Sequence, residues 1–203
     1  MFDKPVDVAV YQSTVYVCDM KKNQILALDK DTGRQKGSIG ESGNAEGKLN
    51  MPTHVVVDRS GNIFVNDAFN FRVQKFDSNG RFLKSFGRLG DTTGSLARPK
   101  GVAVDKQGHL YVADAAFENV QVFDNKTGQL LLFFGGPGDT PGSMYLPAGV
   151  HADYANVEYF RKFADKDFKL KYVFYVLNRF GKNKLNAYGF GDWVGQPLLG
   201  TKK

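Results

Sequence analysis

One cysteine, Cys18, stands in 203 residues, so no disulfide can form within the chain. No apolar run approaches the 18 or more residues needed to cross a bilayer, and no membrane anchor is encoded. The nucleophile elbow Gly-x-Ser-x-Gly is missing, as are a glycine-rich phosphate loop leading into a helix and a Cys-x-x-Cys pair. With three histidines, His54, His109 and His151, ligands for a metal are scarce. His54 and His151 fall two and four residues after equivalent prolines, about 7 Å apart in depth at roughly 3.3 Å per strand residue. His109 falls in a turn. Zinc needs three or four convergent ligands. These absences leave little for hydrolytic, nucleotide-dependent or metal chemistry, and no cofactor is expected.

What the chain does contain is repetition. Pro5, Pro52, Pro99 and Pro147 open four versions of one phrase, 47, 47 and 48 residues apart. The copy from Arg98, RPKGVAVDKQGHLYVADAAFENVQVFDNKTGQLLLFFG, matches MPTHVVVDRSGNIFVNDAFNFRVQKFDSNGRFLKSFG from Met51 almost position for position. Apolar residues alternate with polar or small ones over short runs, which is the period of strands. Turn residues separate the runs: Ser60-Gly61-Asn62, Ser78-Asn79-Gly80 and Asp31-Thr32-Gly33 supply positive φ and side chains that bond their own backbone. In the third copy the strands are 102–105, 109–113, 119–124 and 129–134. A repeat of this length made of four strands is a propeller blade, because a lone meander must bury its faces against neighbours. Blades are expected at 5–51, 52–98, 99–146 and 147–203. The first copy has no lead-in strand and the fourth lacks an evident outer strand after 184–189, so part of the ring is expected to be supplied from upstream of Met1.

The phrases GVAVDKQGHLYVADAAFENVQVFD and HVVVDRSGNIFVNDAFNFRVQKFD resemble the NHL repeat, with Asn70, Arg72, Val73 and Gln74 at the places of its Asn-x-Arg-Val-Gln signature. The likeness covers Pro5 to about Phe134 well and the last copy more loosely. Asn23-Gln24-Ile25, Asn119-Val120-Gln121 and Asn183-Lys184-Leu185 occupy the signature stretch without the Arg. The resemblance implies an all-β six-bladed propeller of which about four blades are present. Related bacterial NHL proteins carry a similar lysine and aromatic insertion in the last blade, some beside extracellular electron-transfer proteins; on that likeness a periplasmic or extracellular setting is expected. Related six-bladed lyases and hydrolases hold metal at the channel. That family prefers His directly after the Pro, where this chain has Thr53.

Asp19, Asp67 and Asp114 end the second strand of three copies and Asn178 takes the place in the fourth. A carboxylate there accepts amides of the following loop, and Asn keeps that role without charge, which favours a structural use over calcium. Cys18, in the same strand, is expected to be packed and inert. Gly87-Arg88-Leu89-Gly90 and Gly135-Gly136-Pro137-Gly138 read as connections between blades.

Charge is uneven. Of 27 Lys and Arg, 10 lie in residues 151–203, against 5 of the 21 Asp and Glu. That segment holds an insert, 156–171, in which Val157, Phe160, Phe163 and Ala164 recur at helical spacing. Its stripe packs on the propeller, or Tyr159, Phe160 and Phe163 meet a partner. Loops after the second strand and interblade connections share one face, carrying Lys21, Lys22, Phe69, Phe71, Arg72, Phe117, Arg179, Phe180 and Lys182. Rings beside cations suit protein docking. They also suit single-stranded RNA, which some animal NHL proteins bind, although Glu41, Glu46, Asp91 and Glu118 dilute any basic patch. The expectation is a non-enzymatic platform for a protein partner; a metal-dependent lyase or hydrolase and an RNA-binding domain are the alternatives.

Overall fold

Each copy of the repeat folds into its own antiparallel sheet in the computed structural model, which describes residues 2–195. Blade 1 is β1 (Pro5–Tyr11), β2 (Thr14–Asp19), β3 (Gln24–Asp29) and β4 (Gln35–Ile39). Blade 2 is β5 (His54–Val57), β6 (Ile63–Asp67), β7 (Arg72–Phe76) and β8 (Phe82–Phe86). Blade 3 is β9 (Pro99–Val104), β10 (His109–Asp114), β11 (Asn119–Asp124) and β12 (Leu130–Gly135). Blade 4 has three strands, β13 (Pro147–Asp153), β14 (Phe168–Asn178) and β15 (Leu185–Trp193). Strands pair in chain order within every sheet. Successive first strands, β1, β5, β9 and β13, lie side by side and line the axis.

Alternation decides what each face of a blade meets. Tyr16, Cys18 and Ile25 of blade 1 pack with Val55, Ile63 and Phe76 of blade 2. Phe64, Val73 and Phe86 turn to the opposite side and pack with Val102, Leu110 and Phe123. Tyr111, Val120 and Val122 continue into Tyr172, Phe174 and Val176 of blade 4. The core is thus a series of sandwiches between neighbouring sheets. Burial of apolar area at about 25 cal/mol per Å² supplies the main cohesion.

The glycine-rich connections are plugs as well as crossovers. After β4, β8 and β12 the chain turns at Gly40, Gly87 and Gly135, all with φ between 76° and 87°. It then drops Leu49, Leu96 or Met144, each fully buried, into the gap between blades. A Cβ on Gly87 would lie 2.4 Å from Leu96 Cδ1. The plug can seat only because that side chain is missing. At the axis, a Cβ on Gly101 would stand 2.8 Å from Gly149 Cα, so β9 and β13 approach through two glycines.

The insert differs from expectation in extent. Its helix α1 spans only Val157–Arg161, and residues 168–171, expected to be part of the insert, are the first residues of β14. Leu170 and Tyr172 alternate inward there and register against Gly191 and Phe190, so strand pairing overrides the helical spacing. Phe160 packs on Tyr175 of β14 at 5.8 Å between ring centres. Tyr159 and Phe163 remain 60% and 69% exposed, with the Lys162 ammonium 4.2 Å and 5.0 Å from their ring centres. β15 runs to Trp193, beyond the expected end at 189. No helix of the described residues is long and apolar enough to cross a membrane.

Candidate functional site: the crossover face

The face carrying the expected site is organised by the repeated acid at the end of each second strand. Asp114, fully buried, accepts the amides of Ala97 and Arg98 in the incoming crossover and of Ala116 and Phe117 in its own loop, at 2.8–3.2 Å. Asp19 does the same for Asp3, Lys4 and Lys22. Burial raises the Asp19 carboxyl toward neutrality, yet these three amides outweigh it and hold the group below its usual range. Asn178 accepts the amide of Tyr145 and donates to the Asn183 carbonyl. The clamp therefore ties each loop to the crossover before it, where the sequence pointed only to the loop that follows.

Blade 2 adds side chains to the clamp. Buried Asp67 accepts from Asn50 N, Asn70 Nδ2, Arg72 Nε and Gln74 Nε2. The Arg72 guanidinium continues to the carbonyls of Ala45 and Lys48 at 2.8 and 3.1 Å, and its side chain is 13% exposed. Arg72 thus spends its donors inside the molecule, fastening the crossover, and offers little to a partner.

The other expected residues divide by exposure. Phe69 is 60% and Phe180 46% exposed, whereas Phe71 and Phe117 are half-buried. Phe71, at φ 55°, closes the 3-10 turn at 68–70. Lys22, Arg179 and Lys182 are exposed, and Lys21 meets Asp3 at 3.5 Å. The Arg179 guanidinium lies 5.5 Å from the Phe180 ring centre and the Lys184 ammonium 5.9 Å. Tyr145, half exposed, meets Phe180 edge-on at 6.4 Å. Tyr145 and the exposed Leu89 join this face from crossovers, where no strand period marks a residue as outward. Their place follows from the bonds that tie crossover to loop: Arg179 N to Leu146 O, and Ala115 N to Arg98 O.

Elsewhere the titratable groups are engaged with one another. Between blades 3 and 4, the Tyr111 and Tyr172 hydroxyls and His109 Nδ1 all converge on Asp105 Oδ2 and the two hydroxyls also meet each other, so one hydroxyl donates to its neighbour and the other to Asp105. Burial would raise the Asp105 carboxyl, but the backbone and ring donors of His109 together with Tyr111 hold it below its usual range. Burial pushes the Tyr111 and Tyr172 phenols far above theirs. His109, expected at the junction of a turn and the strand 109–113, is the first residue of β10. No sequence period announces this lock; the only signal is an Asp four and six residues before a His and a Tyr. At the axis, burial lowers the His54 imidazole pKa against the opposing pull of Asp7, and Lys100 lowers it further. His151 is exposed on β13. Among the described residues no group of three or more His, Cys, Asp or Glu converges as a metal site would require. Cys18 is fully buried, and that burial pushes its thiol pKa up, which disfavours the thiolate that reactivity needs.

The model of the NHL repeat matches residues 96–123, which are the plug, β9, β10 and most of β11. The match lies within one blade, and the four sheets share the fold of an NHL-type β-propeller. No curated protein matches it by sequence. Among solved structures, this chain superposes on Kuenenia stuttgartiensis hydrazine synthase with TM-score 0.64 and 15% identity, covering 93% of this chain and 46% of that one. A streptogramin B lyase gives 0.58 and 16%, with 92% and 54% covered. Nidogen, from a nidogen/laminin complex, gives 0.56 and 19%, with 86% and 56% covered. The chain spans about half the length of each, and at these identities the likeness is one of fold. The blades are four in number among the described residues, the last with three strands.

Proposed function

We propose that this NHL propeller is a rigid, non-enzymatic platform that docks a protein partner on its crossover face, in an exported setting. One observation carries the reading. Phe69, Leu89, Tyr145 and Phe180 stand 46–64% exposed on loops and crossovers that buried Asp67, Asp114 and Asn178 tie together. Aromatic and aliphatic side chains held out by rigid backbone lose little entropy on binding, and Arg179 beside Phe180 adds the cation that interfaces favour. Nidogen, which shares the fold and was seen in complex with laminin, supports the idea that such blades can dock a protein. The streptogramin B lyase likeness supports an enzyme less well, because the polar groups here are bonded to one another.

The test is retention of a protein from extracts of the source cells on wild-type chain and on a Phe69→Ala/Phe180→Ala variant. Truncating two interface rings should weaken retention by about 2–4 kcal/mol, on the order of 30- to 1,000-fold. A Tyr159→Ala/Phe163→Ala variant should retain the protein normally. Equal retention by all three chains refutes the assignment, and binding that collapses with salt and nuclease identifies RNA instead.

A further inference from the structure

The same crossover clamp is built differently in blade 3, and the difference creates a site. Arg72 and Asn119 are equivalent: each opens the third strand of its blade and is registered directly opposite the buried acid, Asp67 or Asp114. The next equivalent pair, Gln74 and Gln121, also does the same work, donating Nε2 to the carbonyl of Lys48 or Ser95. In blade 2 the Arg72 guanidinium fills the space between third strand and crossover. In blade 3 the short Asn119 leaves there an open pocket of about 160 Å³, lined by Asp91, Thr92, Phe117, Asn119, Gln121 and Phe133 among others.

Three features of that pocket ask for a flat, donor-rich cation. Asn119 Oδ1 is buried and accepts no hydrogen bond. Gln121 is 4% exposed and its Oε1 likewise has no donor, whereas Gln74 Oε1 receives the amide of Gly47. Asp114 does not line the pocket but is registered opposite Asn119; wholly buried, it is bonded by backbone amides, and no ion pair gives it a cationic side chain among the described residues, whereas Asp67 has Arg72. Asp91 at the rim adds a second, exposed carboxylate. A guanidinium presents five donors in a planar fork and keeps its charge on burial, which an ammonium or an amide does not match.

The geometry points to a guanidinium-binding pocket in blade 3, in which an arginine side chain from outside the chain takes the place that Arg72 fills from within blade 2. The inference extends the docking reading by naming a chemical group of the partner. Its probe, however, is a small peptide, so the two stand or fall separately.

The probe is Gly-Arg-Gly titrated into the whole chain, observed by NMR at the side-chain amides of Asn119 and Gln121. A saturable shift is expected, at least about tenfold weaker with the peptide in which neutral citrulline replaces arginine, because the fork is retained without the charge that strengthens its hydrogen bonds. Methylguanidinium separates the sources: saturation by it as well supports a pocket open to free guanidino compounds, and saturation by the peptide alone supports an arginine presented by a polypeptide. Asn119→Arg should fill the pocket from within and abolish the response. Absence of saturation in the wild-type chain, or equal affinity for the citrulline peptide, overturns the assignment. Neither result depends on a variant folding, and neither touches Phe180 in blade 4, whose truncation reads the docking surface independently.

Discussion

Replacing Asp114 by alanine removes an acceptor from four backbone amides at once. Two belong to the crossover, Ala97 and Arg98, and two to the loop, Ala116 and Phe117. An amide left without its partner in a buried site costs about 1–3 kcal/mol. The loop amides lie near solvent and regain water, whereas the amide of Ala97 sits between the buried Leu96 plug and the fully buried acid. Counting one to two amides as truly orphaned gives a loss of about 2–5 kcal/mol. Asparagine at the same place keeps a single accepting oxygen; in blade 4 Asn178 uses its own for the crossover amide of Tyr145, the counterpart of Ala97, and turns its Nδ2 to the Asn183 carbonyl. Asp114→Asn should cost roughly half as much as alanine. Urea unfolding followed by fluorescence and far-UV circular dichroism measures both, with the slope m checked for constancy. If Asp114→Ala lowered stability by less than about 1 kcal/mol, or Asp114→Asn were no milder, the clamp would not be what fastens the crossover.

Three further outcomes follow from the same geometry. Gly87→Ala should destabilise by about 2–4 kcal/mol, combining the cost of a left-handed φ with the clash on Leu96, while Gly33→Ala, at φ 70° with no atom within 4 Å of the added carbon, should cost only about 1 kcal/mol; calorimetry that found the two equal would remove the plug from the account. Asp153, bonded by Asn156 Nδ2, backbone amides and Tyr175, has its carboxyl lowered to about 2, so its contribution is intact above the unfolded carboxylate value near 4 and is lost as pH falls through 2. Asp153→Asn should flatten the acid limb of stability against pH, and an unchanged limb contradicts the assignment. In the insert, Phe160→Ala should lower stability by about 1–2 kcal/mol and Phe163→Ala by less than about 0.5 kcal/mol, since only the first ring packs on β14; thermal unfolding compares them directly.

The blades were legible because strand alternation and turn residues recur at a fixed interval, so each copy corroborates the others. The insert occurs once and has no such corroboration: its 3.6 spacing named a helix that survives for five residues, while Leu170 and Tyr172 obey the sheet beside them. Arg72 was legible as a signature but not as an inward group. Its direction is set by Asp67 and by two crossover carbonyls some 25 residues earlier, a relation that pattern alone does not carry. Tyr145 and Leu89 were missed for the opposite reason, since crossovers have no period to show which side chains face out. Asn119 and Gln121 could be aligned with their counterparts in blade 2, yet the unpaired oxygens that matter are properties of three-dimensional neighbours.

Because Asp67, Asp114 and Asn178 each grip the segment arriving from the blade before, blades 2 to 4 do not close their own hydrogen-bond accounts. Melting one module strips acceptors or donors from the next, so disturbance should travel stepwise around the axis, with adjacent modules losing amide protection together. A partner that pins a single crossover would then slow opening on both sides of it, turning local recognition into stiffness across two modules.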